Sequence, residues 1–105
     1  MTQKELLQNI KNKLRDLYGS RFRGLVLFGS VARGAADEES DIDLLCLLDG
    51  PVSTIDEIDP IIEATSDLKW QYPEKAFSIK AVDVADYDDG AYPLVIEAKR
   101  EGLTV

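Results

Sequence analysis

The apolar positions of the chain follow two periods, and the switches between them mark its elements. Leu6, Leu7, Ile10, Leu14 and Leu17 recur at helical spacing, with Lys4, Lys11, Lys13 and Arg15 mostly off that stripe. Thr2 and Glu5 make a capping-box pattern before it, and Gly19 follows as a C-cap, so a helix is expected over about residues 3–18. Phe22 to Phe28 reads as a strand. Its Leu25-Val26-Leu27-Phe28 run is continuously apolar, as in an inner strand covered on both faces. Gly29-Ser30 breaks the run. Val31 to Ala36 is small and Ala-rich, enough for a short helix, and Asp37 to Ser40 is a polar loop. Asp41 to Leu48 is a second strand, apolar after its first aspartates, and Asp49-Gly50-Pro51 ends it with turn chemistry.

Ile55, Ile58, Ile61, Ile62, Ala64, Leu68 and Trp70 mark a second long helical pattern with Pro60 inside it. Either the helix starts at Asp59-Pro60, or one longer element capped by Ser53 or Thr54 kinks there. Tyr72-Pro73 closes it. Phe77 to Val84 is a third strand with partial alternation, and Tyr87 to Gly90 a turn. Pro93 to Arg100 is a last helix, with Lys99 and Arg100 at its negative end and Gly102 as a stop. Leu103-Thr104-Val105 can add an edge strand. Leu94, Val95, Leu103 and Val105 suit a core or an interface equally. There is no repeat and no linker, so residues 1–105 read as a single domain.

The order is therefore α-β-α-β-α-β-α. The first crossover, residues 29–40, is barely the dozen residues that a parallel return needs. Asp41 and Asp43 also stand at the start of their strand, whereas doubly wound folds place ligands at strand C-termini. If strands 1 and 2 run antiparallel, the end of one meets the start of the other, and Gly29-Ser30 and Asp41/Asp43 face one site. The expected fold class is α+β, a small mixed or antiparallel sheet with helices packed on it.

Composition narrows the function classes. The net charge is −8, which argues against broad nucleic-acid binding, because that needs phosphate-neutralising Lys and Arg. An acidic surface suits a basic protein partner, although such surfaces are common and plain solubility is the default reading. The absence of histidine removes Ser-His-Asp and Cys-His catalysis and His-based zinc sites. Cys46 is the sole cysteine, so no intramolecular disulfide forms; inside Leu44-Leu45-Cys46-Leu47-Leu48 it reads as a buried structural thiol. That apolar run is far below the ~18 residues a membrane span takes, and the polar N-terminus has no signal-peptide core. A cytoplasmic location is the expectation.

The candidate chemistry lies between the first two strands. Gly29 lets backbone approach a ligand without a Cβ in the way. Ser30 supplies a hydroxyl and begins a helix whose free N–H groups attract anions, so the pair can hold the phosphates of a nucleoside triphosphate. Asp41 and Asp43 alternate on a strand, so both side chains point to one face. Such hard oxygen ligands suit Mg²⁺, which keeps waters and bridges to substrate phosphates. Arg33 can reach a phosphate or pair with the acidic loop; the sequence leaves both roles open. Either half alone is a common pattern; together, on apolar strands at a fixed gap, they point to phosphoryl or nucleotidyl transfer.

Gly29-Ser30, ten intervening residues, then Asp41-Ile42-Asp43 resembles the signature of the nucleotidyltransferase superfamily with the polymerase-β-like fold. Ala32-Arg33-Gly34, Ser40 to Leu44 and the tail from Pro93 to Gly102 are similar to its small branch, the minimal nucleotidyltransferases. The resemblance implies Gly29 and Ser30 for the triphosphate of ATP or another nucleotide, and Asp41 and Asp43 for Mg²⁺ and catalysis. It also implies a helical partner of the HEPN type, as in toxin–antitoxin pairs in which AMP passes from ATP to a tyrosine of the partner. The superfamily commonly carries a third carboxylate on the following strand. Aligned to the small branch, that position is Ser78. The nearest acid, Asp83, has the opposite strand parity and reads more readily as a strand-end or turn acid. An alternative is therefore a weakly active or inactive nucleotide-binding antitoxin that acts by occupying its partner. No appended substrate domain is visible, which disfavours tRNA or antibiotic acceptors. The acceptor, the base preference and a homo-oligomeric state stay open.

Overall fold

The protein is seen in a computed structural model that describes residues 3–29 and 42–105. Helix α1 (Gln3–Tyr18) leads through a 3-10 turn at Gly19–Arg21 into β1 (Phe22–Phe28). Then come β2 (Ile42–Leu48), α2 (Ile58–Gln71), β3 (Phe77–Asp83), α3 (Val84–Asp89), α4 (Pro93–Glu101) and β4 (Leu103–Thr104). The four strands form one sheet in the order β3-β2-β1-β4. β1 runs antiparallel to both β2 and β4, and β2 runs parallel to β3, so the sheet is mixed, as the short crossover required.

Strand alternation splits the core in two. Leu25, Leu27, Leu44, Cys46 and Leu48 meet Leu6, Ile10 and Leu14 of α1 and Ile61 and Leu68 of α2. On the opposite face Val26, Leu45, Leu47 and Val82 meet Val95 and Ala98 of α4. This double cover explains the unbroken apolar runs of β1 and β2: every position along them faces a helix. Cys46 is fully buried, and burial, helped by the charge of Glu57, pushes its thiol up to about 12. A thiol so held is inert, in keeping with a structural residue.

The free edge of β3 is partly closed by side chains. Lys69 Nζ donates to Phe77 O at 3.1 Å and lies 4.1 Å from the centre of the Phe77 ring, and Thr54 Oγ1 donates to Ala81 O at 2.6 Å. Occupied carbonyls discourage another strand from adding there. At the other side of the sheet, Val105 N–H donates to Leu25 O, and Lys11 Nζ donates to Val105 O, both at 2.9 Å. The C-terminal apolar residues divide accordingly: Val95 is core, Leu94 and Val105 pack against it, and Leu103 is exposed.

Three sequence expectations need adjustment. α2 begins at Ile58 with Pro60 in its first turn, so the element starts there and does not kink. Thr54 caps no helix, because its hydroxyl is spent on β3. The turn expected at Tyr87 to Gly90 is the end of α3: Asp83 accepts from Ala85 N–H at its start, and Gly90, at φ 64°, ends it. Asp and Gly serve turns and helix ends alike, which is why the pattern did not separate the two. The proposed cap at Thr2 and the short helix over Val31 to Ala36 lie outside the described residues. α2 carries exposed apolar side chains on its outer surface, among them Ile62 and the chain's single tryptophan, Trp70, which is 86% exposed.

Candidate active site

The antiparallel register of β1 and β2 pairs Phe28 with Asp43. Gly29, the next residue, adopts φ +81°, and a Cβ placed on it would lie 2.8 Å from Asp43 Oδ2. The aspartate carboxylate thus rests against the bare backbone of the glycine, in a space that a larger residue would fill. This apposition is what the sequence predicted for the two halves of the motif, and both of its described members meet. Ser30, Arg33 and Asp41 lie outside the described residues.

Asp43 belongs to the sheet face that holds Leu45 and Leu47, since side chains two apart share a face. Leu45 and Leu47 are buried in the cluster that includes Val95 and Ala98, whereas Asp43, at the start of the strand, is half-buried. A carboxylate there keeps access to water and to a ligand while its backbone is held by strands on both sides.

Across the parallel pair, Asp43 faces Ser78. The Ser78 hydroxyl donates to Asp43 Oδ1 at 3.3 Å. The two carboxylate oxygens therefore have different surroundings: Oδ1 toward Ser78 and Oδ2 toward Gly29. Asp83 pairs with Leu48 at the other end of β3, five positions along and so ~16 Å away by the rise of a strand. Its carboxylate accepts from Ala85 N–H and lies against the backbone of Gly50, where an added Cβ would collide with it. Asp83 is thus a capping acid and no member of this site, as its parity indicated, and Ser78 holds the position beside Asp43.

Lys80 follows on the same face as Ser78, is exposed, and makes no ion pair with the described residues. Sequence reading passed over it; strand parity was the signal that places it beside Ser78. Among the described residues no three Asp, Glu, Cys or His side chains cluster closely enough to hold a metal ion. The described part of the site supplies one carboxylate and one hydroxyl, and the rest of a cation site has to come from elsewhere. Asp43 Oδ2, a hard oxygen at a cradle only glycine leaves open, fits a small divalent cation as one ligand of several.

Comparison with known proteins shows the family. The model of the nucleotidyltransferase domain family matches residues 7–97. The chain belongs to that family. It is 41% identical over 49 residues to the Methanocaldococcus jannaschii protein named "Putative protein adenylyltransferase MJ0604", a match covering 47% of this chain and 49% of that one. A second protein of that organism, "Putative protein adenylyltransferase MJ0141", is 34% identical over 68 residues, covering 65% of this chain and 68% of the relative. The chain thus spans about half the length of the first relative. The fold is shared with a solved toxin–antitoxin structure with AMP-PNP, at TM-score 0.56 and 18% identity, over 92% of this chain and 70% of that one.

Proposed function

We propose that this nucleotidyltransferase moves AMP from ATP to a hydroxyl of a partner protein, in a Mg²⁺-dependent reaction, as the antitoxin of a pair whose toxin is a helical HEPN-type protein. The observation that carries the reading is the contact between Gly29 and Asp43 Oδ2. The relatives' names support protein adenylylation, and the toxin–antitoxin neighbour supports the pairing. In this reading residues 1–105 act as one domain in the cytoplasm; no helix of the described residues is long and apolar enough to cross a membrane.

The roles follow from chemistry. Gly29 and Ser30 hold the triphosphate, the glycine by leaving its backbone accessible and the serine through its hydroxyl. Arg33 takes a phosphate. Asp43 and Asp41 would hold the cation, and a Mg²⁺ ion bound there would supply charge neutralisation for the phosphates. The acceptor oxygen bonds to the α-phosphorus as the bond to the bridging oxygen breaks; pyrophosphate leaves, and the acceptor proton passes to solvent at this exposed end of the sheet. The chain's contribution is positioning: β1 and β2 hold the phosphate cradle and the carboxylate in fixed register, so little reorganises during transfer.

Ser78 favours a second reading. With a neutral residue beside Asp43 in place of a carboxylate, the chain can serve as a nucleotide-binding antitoxin with little or no activity that acts by occupying its partner. Incubating the purified chain with labelled ATP, Mg²⁺ and the neighbouring gene's product separates the two. Label on the partner supports transfer; a stable complex without label supports occupation; neither label nor complex removes both.

A further inference from the structure

Ser78 and Asp43 are register partners on adjacent parallel strands, and the serine hydroxyl donates to one carboxylate oxygen while the other lies against Gly29. The terminal torsion of an aspartate is broad, so a carboxylate with no donor swings between orientations. Among the described residues the Ser78 hydroxyl is the donor on Oδ1, and it biases the carboxylate toward the orientation in which Oδ2 faces the cradle. The same position decides the charge of the site. Ser78 is neutral, and the next residue on that face is the cation Lys80. The β3 side of the site therefore offers a divalent cation no negative charge of its own.

Resting on the nucleotidyl-transfer reading, we propose that Ser78 is a positioning residue that orients Asp43 through Oδ1, and that by standing where a carboxylate would fit it makes the divalent cation a joint ligand of the protein and the nucleotide. The cation is held weakly by the protein alone and firmly once the triphosphate oxygens complete its shell. Metal and nucleotide then bind as one unit, and the free protein in a Mg²⁺-containing solution stays largely metal-free. Charge count is a principal lever on the affinity of oxygen-ligand sites, so one carboxylate more or less is a large change. Partners that orient a ligand typically alter metal affinity by about 10–100-fold when removed.

The test uses the full chain, Mn²⁺ in place of Mg²⁺, and AMP-PNP as a nucleotide that does not transfer. Free Mn²⁺ is read by its paramagnetic resonance signal, with and without AMP-PNP, for the wild type, Ser78→Ala, Ser78→Thr and Ser78→Asp. The wild type is expected to hold Mn²⁺ at least about tenfold more tightly with AMP-PNP than AMP-PNP holds it alone. Ser78→Ala should weaken that ternary binding about tenfold, and Ser78→Thr, which keeps the hydroxyl and suits a strand, should retain it. Ser78→Asp should tighten Mn²⁺ binding without nucleotide about tenfold. Ser78 is exposed, so the variants should fold; circular dichroism checks this, and Ser78→Thr and Ser78→Asp carry the test if the alanine variant fails. Wild-type ternary binding that Ser78→Ala leaves unchanged, or a Ser78→Asp variant no tighter than wild type, overturns the proposal while the nucleotidyl-transfer reading stands. A wild type that adds nothing to the binding of Mn²⁺ by AMP-PNP overturns both.

Discussion

At the scale of single residues, the described part of the candidate site sets an absent Cβ against one carboxylate. Gly29→Ala has to accommodate φ +81° and a methyl group 2.8 Å from Asp43 Oδ2. The backbone strain alone is expected to cost about 1–2 kcal/mol of stability, read from urea unfolding, and the displaced carboxylate should weaken nucleotide–metal binding as well. Asp43→Asn keeps the shape and removes the charge. Transfer is expected to fall by about 100-fold or more, since residues one step removed from a metal already cost 10–100-fold, with an unchanged melting temperature as the control. Cys46 gives a pH dependence. Burial holds its folded-state pKa at about 12, above the ordinary thiol value of 9.0, so above that ordinary value the unfolded chain loses a proton that the folded chain keeps. The linkage favours the unfolded state there, and the penalty grows as pH rises from about 9 toward 12. The urea midpoint should fall between pH 8 and pH 10, and Cys46→Val should reduce that fall.

At the scale of elements, Asp83 separates structure from chemistry. Its carboxylate caps α3, so Asp83→Ala is expected to cost about 1 kcal/mol of stability and to leave nucleotide–metal binding intact. Loss of binding at unchanged stability would place Asp83 in the site after all. The same residue shows what a sequence can and cannot carry. Apolar period and run length are local, and they placed α1, the three long strands and α4 within a residue or two. The antiparallel pairing of β1 with β2 also followed from a local fact, the length of the crossover. A hydrogen bond between Ser78 and Asp43 depends on the register of two strands separated by a helix, which no local pattern encodes. Asp83 and Gly90 wear turn chemistry while bounding a helix of six residues, too short to show a period. Pro60 allowed either a start or a kink, and that choice rests on how Thr54 and the preceding turns meet β3.

At the scale of the whole molecule, the described sheet is a partition with helices packed on each face, and the candidate site lies at the end where β1 finishes and β2 begins. Core burial is concentrated in β1 and β2, the strands that carry the two halves of the site. The site is therefore anchored in the most stable part of the protein, and its described members should move little on binding. The net charge of −8 sets how the molecule meets others. It should show no retardation of a labelled DNA duplex at about 0.15 M salt, where a surface must neutralise several phosphates to bind non-specifically. Retention of duplex at that salt would mean that a local basic surface outweighs the global charge.

Trp70, on the outer surface of α2, has a consequence for how this protein can be watched. It is the chain's single indole and stands almost wholly in water, 86% exposed in the folded state. Its emission is expected to resemble that of a solvated indole both before and after unfolding, so intrinsic fluorescence will scarcely register the loss of the fold. The same insensitivity leaves a quiet background. Any molecule that settles over α2 would shift that emission toward the blue, giving the protein a label-free optical reporter at a position outside its core.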